Sequence, residues 1–192
     1  PDGEVEKLPR VDDRYRTNLD GVYVVGDLAG VPLLKFSLDS GVKAVRDIVD
    51  RGIDATDPDD ESGPYDVVIL GAGASGMAAA REAERQGLSY CVLESQRRFA
   101  TIKDFQKQKP IYTYPQDMTP AGEVTVEATV KEDLVEELEA QTTGIDVRHA
   151  EADRLESQRE GHEVVLADGG RIRAQRVIVA IGRSGNFRSL GV

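Results

Sequence analysis

Six residues, Gly71-Ala72-Gly73-Ala74-Ser75-Gly76, stand between an apolar run and an alanine-rich one. In a G-x-G-x-x-G turn that joins a buried strand to a helix, each glycine has its own task. Gly71 permits the tight turn, Gly73 removes the Cβ that would block a pyrophosphate, and Gly76 lets helix and strand pack closely. The helix start at Ala74 and Ser75 then offers free N–H groups and a partial positive charge to phosphates. Glu94 is the third element, 18 residues past Gly76 at the end of the next β-rich run. A carboxylate there accepts hydrogen bonds from both hydroxyls of an adenosine ribose. Together these residues predict an adenine dinucleotide site. The charge of Glu94 repels a 2′-phosphate, which disfavours NADP unless Arg97 and Arg98, read as a solvated loop pair, reach that phosphate.

A second apolar run ending on glycine, GVYVVGD at 21–27, comes about 45 residues earlier. Gly26 would again allow close backbone approach, with Asp27 offering an acceptor to a ligand hydroxyl. A strand this short and apolar needs a sheet to join. The expectation is that 21–26 lies parallel beside 66–70, bringing Asp27 to the edge that carries Gly73.

The elements that must position these residues follow from periodicity. Residues 36–51 read as a helix, with Leu38, Val42, Val45 and Ile48 on one face and Gly52 at its end. Residues 53–64 are acidic, contain Pro58, Gly63 and Pro64, and read as a linker. Strand 66–70, helix 75–86 and strand 89–93 make a βαβ unit, hence a parallel sheet with a right-handed crossover. Residues 98–128 show no period and read as a long loop. Thr129 and Glu132 form a T-x-x-E capping box for a helix striped by Val130, Leu134, Val135 and Leu138. Short strands follow at 145–149, 152–157, 162–167 and 176–181, with Asp168-Gly169-Gly170 as a hairpin turn.

Composition narrows the function classes. Net charge is −11, with 35 acidic residues against 17 Arg and 7 Lys. Such a chain repels nucleic acid and anionic membrane, and must hold a phosphate by backbone N–H groups. No apolar run approaches the ~20 residues of a bilayer span. Cys91, the only cysteine, falls inside a strand as a buried structural thiol; neither a CxxC pair nor a cysteine-rich metal site is possible. His149 and His162 read as isolated residues at the ends of exposed strands, and no metal site is expected. The chain begins at Pro1 without a charged-then-apolar leader, so the expectation is a segment of a longer cytoplasmic protein.

With both glycine motifs in hand, the chain resembles the thioredoxin-reductase-like pyridine nucleotide–disulfide oxidoreductases. The resemblance implies an α/β fold: a Rossmann-like FAD/NAD(P)-binding domain, a parallel sheet with helices and a small antiparallel β-meander. The opening motif of such an FAD domain is matched by 71–76 with Glu94, and the A-(T/I)-G signature that ends its first half by Ala180-Ile181-Gly182. Its completing segment, T-x-x-x-G, an apolar strand and G-D, is matched from Thr17 through Gly21 to Asp27. That aspartate is implied to bond the ribityl chain of FAD, and the helix after it, around 35–37, to point its N-terminus at the flavin. Tyr112, Tyr114 and Met118 resemble the segment that runs near the ring. The cofactor implied is FAD, with NAD(P)H as donor bound mainly outside this segment. The partners implied are the remaining modules of the full-length protein. Two departures stand out: there is no second glycine fingerprint and no CxxC. A non-catalytic nucleotide-binding or assembly module is therefore the alternative. The domain reading is 1–52 as an FAD-motif segment, either docking on the sheet of this chain or ending a preceding module, 53–64 as linker, and 65–192 as the Rossmann-like dinucleotide-binding domain.

Overall fold

The computed structural model describes residues 8–30, 32–56 and 63–183. Its centre is a mostly parallel sheet of β1 (Val22–Val24), β2 (Tyr65–Leu70), β3 (Tyr90–Glu94), β4 (Arg148–His149), β5 (Ala152–Ser157), β6 (His162–Leu166) and β7 (Arg171–Val179). The order is β4-β3-β2-β7-β6-β5, with β1 also paired to β7. Strands β1, β2, β3, β4 and β7 are mutually parallel where they pair, and β5, β6 and β7 form the antiparallel meander. Both faces are covered, which explains the continuous apolar runs in β2 and β7. Val67, Ile69, Val92 and Ile178 face a layer formed by α1 (Leu34–Asp50) and α2 (Ala74–Arg85). Val68, Cys91, Leu93 and Val177 pack under the meander against Val164, Leu166 and Ile172.

Strand β7 has two different neighbours along one edge. Its first half, Arg171 to Ala174, pairs with β6, while Val177 to Val179 pair with β1. Its other edge pairs with β2, Val68 opposite Val177. Strand β1 therefore joins the same sheet as β2 in the expected direction, but β7 stands between them. A three-residue strand gains little as a central element, whereas nine-residue β7 can hold partners on both sides. The outer edge of β1 is closed by residues 15–17, through Thr17 N–H to the Val22 carbonyl and Val24 N–H to the Tyr15 carbonyl, both 3.0 Å.

The handover between β6 and β1 explains a histidine that the sequence reading misjudged. His149 is exposed, but His162 is buried, and its Nε2–H donates to the Asp20 carbonyl at 2.9 Å. Burial pushes this imidazole below its ordinary pKa range. Asp66, counted within an apolar run, is likewise a fully buried acceptor. It takes N–H bonds from Thr56 and Ser89, each at 2.9 Å, and ties the start of β2 to the chain before it. Residues 57–62, half of the expected linker, lie outside the described residues.

Most boundaries shift by one or two residues from the periodicity reading, and three differ more. Expected strand 145–149 shrinks to Arg148–His149, and expected strand 176–181 becomes Arg171–Val179. The third long helix, α4 (Lys131–Gln141), follows α3 (Ala100–Lys103) and starts without the capping box. Residues 129–131 are instead held extended against 109–111, with Ile111 N–H on the Thr129 carbonyl (2.8 Å) and Lys131 N–H on the Lys109 carbonyl (3.0 Å). Glu132 is then free to accept Gln108 N–H at 3.1 Å.

One buried acid fastens α1 to α2. Glu82 is 1% exposed and accepts from Arg46 of α1 (3.0 Å), from Arg85 (2.6 Å) and from Gln86 (2.9 Å). Burial alone would raise the Glu82 carboxyl, but the Arg85, Arg46 and Gln86 donors outweigh it and hold the pKa at about 2. A depressed carboxylate stabilises the fold above its unfolded pKa and loses that contribution as pH falls to the folded value. Glu82→Gln is therefore expected to cost about 3 kcal/mol in urea unfolding at pH 7. The deficit should close between about pH 4.5 and pH 2; a deficit independent of pH would remove this account.

Candidate functional site

The carboxyl ends of β1, β2, β3 and β7 meet at the first turn of α2, where backbone arrives from several directions. A Cβ on Gly76 would stand 1.9 Å from the Gly71 carbonyl oxygen, and one on Gly71 (φ +105°) 2.5 Å from that of Ala180. Gly26 (φ +72°) would place its Cβ 2.6 Å from Ser75 Oγ, and Gly41 2.1 Å from the Ser75 carbonyl oxygen. Real Cβ atoms do not approach so closely, so these four positions require glycine. Gly73 differs, with nothing within 4 Å of its Cβ position and an ordinary φ of −80°. No packing demand accounts for glycine there, and a ligand that must lie against the backbone does.

The elements leave this turn chemically open. No side chain caps α2 and no acid lies in its first turn, so its N–H groups and dipole face no competing carboxylate. Glu94 ends β3 with Oε2 on Ala72 N–H (2.9 Å) and Oε1 on Gln96 N–H (2.7 Å). Each oxygen keeps further acceptor capacity for a hydroxyl. Asp27 lies in the 3₁₀ turn Gly26–Ala29, where it accepts Ser37 Oγ–H at 3.1 Å, while Gly26 N–H donates to Ser40 Oγ at 3.0 Å. Ala180 is buried, its N–H on the Leu70 carbonyl at 2.8 Å. Gly182 adopts φ +69° in open space. The residues therefore fit an adenine dinucleotide: N–H groups for the pyrophosphate, an acid at the end of the next strand, and a clear approach over Gly73.

Of the expected solvated pair, Arg97 is exposed and Arg98 is half-buried. Arg97 pairs with Asp104, whereas Arg98 donates to the carbonyl and hydroxyl of Thr142 at 2.8 and 2.6 Å and lies over the Phe99 ring at 5.9 Å. The contacts of both guanidinium groups are thus with Asp104 and Thr142, not with Glu94. Cys91 is buried and its thiol is pushed up by burial to about 11, so it carries no nucleophile. Tyr112 and Tyr114 are exposed and stack on each other, ring centroids 6.3 Å apart. Among the described residues no group of three or more His, Cys, Asp or Glu could hold a metal ion. Among the same residues no helix is long and apolar enough to cross a membrane.

Comparisons with known proteins agree with this geometry. Residues 66–102 match the family model of the FAD binding domain. The bacillithiol disulfide reductase Bdr of Staphylococcus aureus superposes with a TM-score of 0.51 at 16% identity, over 62% of this chain and 38% of its own. A thioredoxin reductase from Streptococcus pyogenes gives 0.50 at 23% identity, over 67% of this chain and 38% of its own. The fold is Rossmann-like, as in these reductases. FAD is the cofactor these matches support. The chain covers little more than a third of the length of either reductase, and no curated protein sequence matches it.

Sequence reasoning missed Gly41. A glycine inside a helix costs about 1 kcal/mol against alanine, and that cost was the available signal. The site thus contains two kinds of glycine, and substitution separates them. Gly41→Ala should destabilise the fold by about 3 kcal/mol, since the α1–α2 crossing has no room. Gly73→Ala should cost under about 1 kcal/mol in the absence of ligand. Equal costs in denaturant titrations would mean that the helices do not cross this closely.

Proposed function

We propose that this chain is the FAD-binding module of a pyridine-nucleotide-dependent flavoprotein oxidoreductase whose disulfide-type CxxC centre is missing from this segment. The observation that carries the reading is the convergence of Gly26, Gly41, Gly71 and Ala180 on Ser75 and Gly76. It supports reading the completing segment and the glycine turn as parts of one site. On this reading the segments 8–52 and 63–183 hold one cofactor between them.

Each residue then has a stated task. Backbone N–H groups of Ala74, Ser75 and Gly76 bind the pyrophosphate, Gly73 gives it room, and Glu94 accepts from the adenosine ribose. Asp27, oriented by Ser37, accepts from a ribityl hydroxyl, and Gly26 and Gly182 allow backbone to lie close to the ligand. Bound FAD supplies hydride-accepting chemistry that no side chain here has. Electrons come from NAD(P)H held mainly by the remaining modules of the longer protein, which is cytoplasmic. A module that binds FAD but has lost turnover is the second reading, favoured by the single buried thiol. It would appear as a flavin that NADH and NADPH fail to reduce in the full-length protein.

Flavin absorbance of the purified chain, with FAD, NAD and NADP titrations, tests the assignment. FAD should bind most tightly and NADP most weakly; a preference for NADP would overturn the role of Glu94. Gly73→Val should abolish dinucleotide binding while the fold survives. Asp27→Ala should weaken FAD about tenfold yet leave NAD, which has no ribityl chain, unchanged. If Asp27→Ala left FAD affinity intact, the two segments would not share a site.

A further inference from the structure

The aperiodic stretch between β3 and α4 lies along one stripe of α1. Lys35, Asp39 and Val42 are spaced by four and three residues and share a helix face. Lys35 Nζ donates to the Pro115 and Met118 carbonyls, both at 2.7 Å. One turn on, Asp39 Oδ1 accepts Ala121 N–H at 3.1 Å. Below it Gly122 (φ +84°) comes so near Val42 that a Cβ would stand 2.8 Å from Cγ2. The stretch is thereby laid along the helix from its first turn downward.

The upper fastening is the unusual one. Lys35 is 7% exposed and sits in the first turn of α1, where the helix dipole opposes a cation. Its partners are neutral carbonyls, and no ion pair to a carboxylate among the described residues offsets its burial. A methionine would fill the same space without that cost. Two residues further along the same turn, Ser37 holds Asp27. One turn of helix thus grips both the acceptor assigned to the ribityl chain and the carbonyls next to Tyr114. The exposed Tyr112–Tyr114 stack stands just before the latch.

We propose that Lys35 is a positioning residue that pins residues 112–118 beside Asp27 and so forms the wall of the cofactor site at its ring end. The proposal rests on the FAD reading above. In the 192-residue chain, Lys35→Met should retain a cooperative thermal transition while the amides of 112–121 exchange hydrogen faster. Its FAD dissociation constant should rise about tenfold, and the bound flavin's visible spectrum should move toward that of free FAD. Lys35→Arg, which keeps charge and donors, should restore the spectrum and most of the affinity. Where Lys35→Met does not fold, Lys35→Gln takes its place in the same measurements. Wild-type affinity and spectrum in the neutral variant, or an arginine variant no better than the neutral one, would overturn the proposal. Loss of FAD by Gly73→Val alongside retention by Lys35→Met would overturn this proposal alone. A wild-type chain that takes up no FAD would overturn the functional reading with it.

Discussion

A single helical turn, the first of α2, has main chain pressed against it from β1, α1, β2 and the exit of β7. Any Cβ at 26, 41, 71 or 76 would overlap an atom already there. The rest of the arrangement depends on this crowding. It sets the distance between α1 and α2, fixes the angle at which β1 enters, and brings the β7 exit against the turn. Side chains then secure what the glycines allow. Glu82 joins Arg46 to α2, and Asp47, nearly buried, receives Arg16 and the Tyr23 hydroxyl at 3.0 Å. Close backbone contact and buried charge pairs are difficult to replace one residue at a time, so this corner tolerates little change.

The same packing explains how an acidic chain can accept a phosphate-bearing ligand. Its cations are largely spent on internal acids and carbonyls: Arg46 and Arg85 on Glu82, Arg51 on Asp20, Arg98 on Thr142. No basic patch is needed where oriented peptide dipoles do the work at short range. The −11 net charge instead disfavours polyanions that would have to approach over a wide surface.

The local signals were legible in the sequence because local chemistry decides them. A turn with glycines at 71, 73 and 76 has one economical explanation, and Glu94 follows it at a fixed distance along a βαβ unit. Helix α1 was visible in its apolar stripe. What could not be read was decided by partners far away in the chain. That β7, rather than β2, receives β1 depends on a strand about 150 residues later. The capping box at Thr129 failed because pairing with 109–111 holds 129–131 extended and moves the helix start to Val130. His162 looked exposed since its acceptor, the Asp20 carbonyl, belongs to the other end of the chain. The stretch 98–128 had no period because its order comes from α1 and from α4. Gln141, for example, accepts Thr125 N–H at 2.7 Å.

The β1–β7 pairing also has a consequence for the order of events during synthesis. Val22 finds its partner in Val177, so the earliest strand waits for the latest one. Until β7 is made, β1 has only residues 15–17 to pair with, and the apolar face of α1 can rest only on an unfinished α2 layer. Contacts of such long sequence separation close slowly, and unpaired apolar strands meanwhile invite association with other chains. The portion from β1 to α1 therefore stays the more exposed until β7 arrives to pair with it.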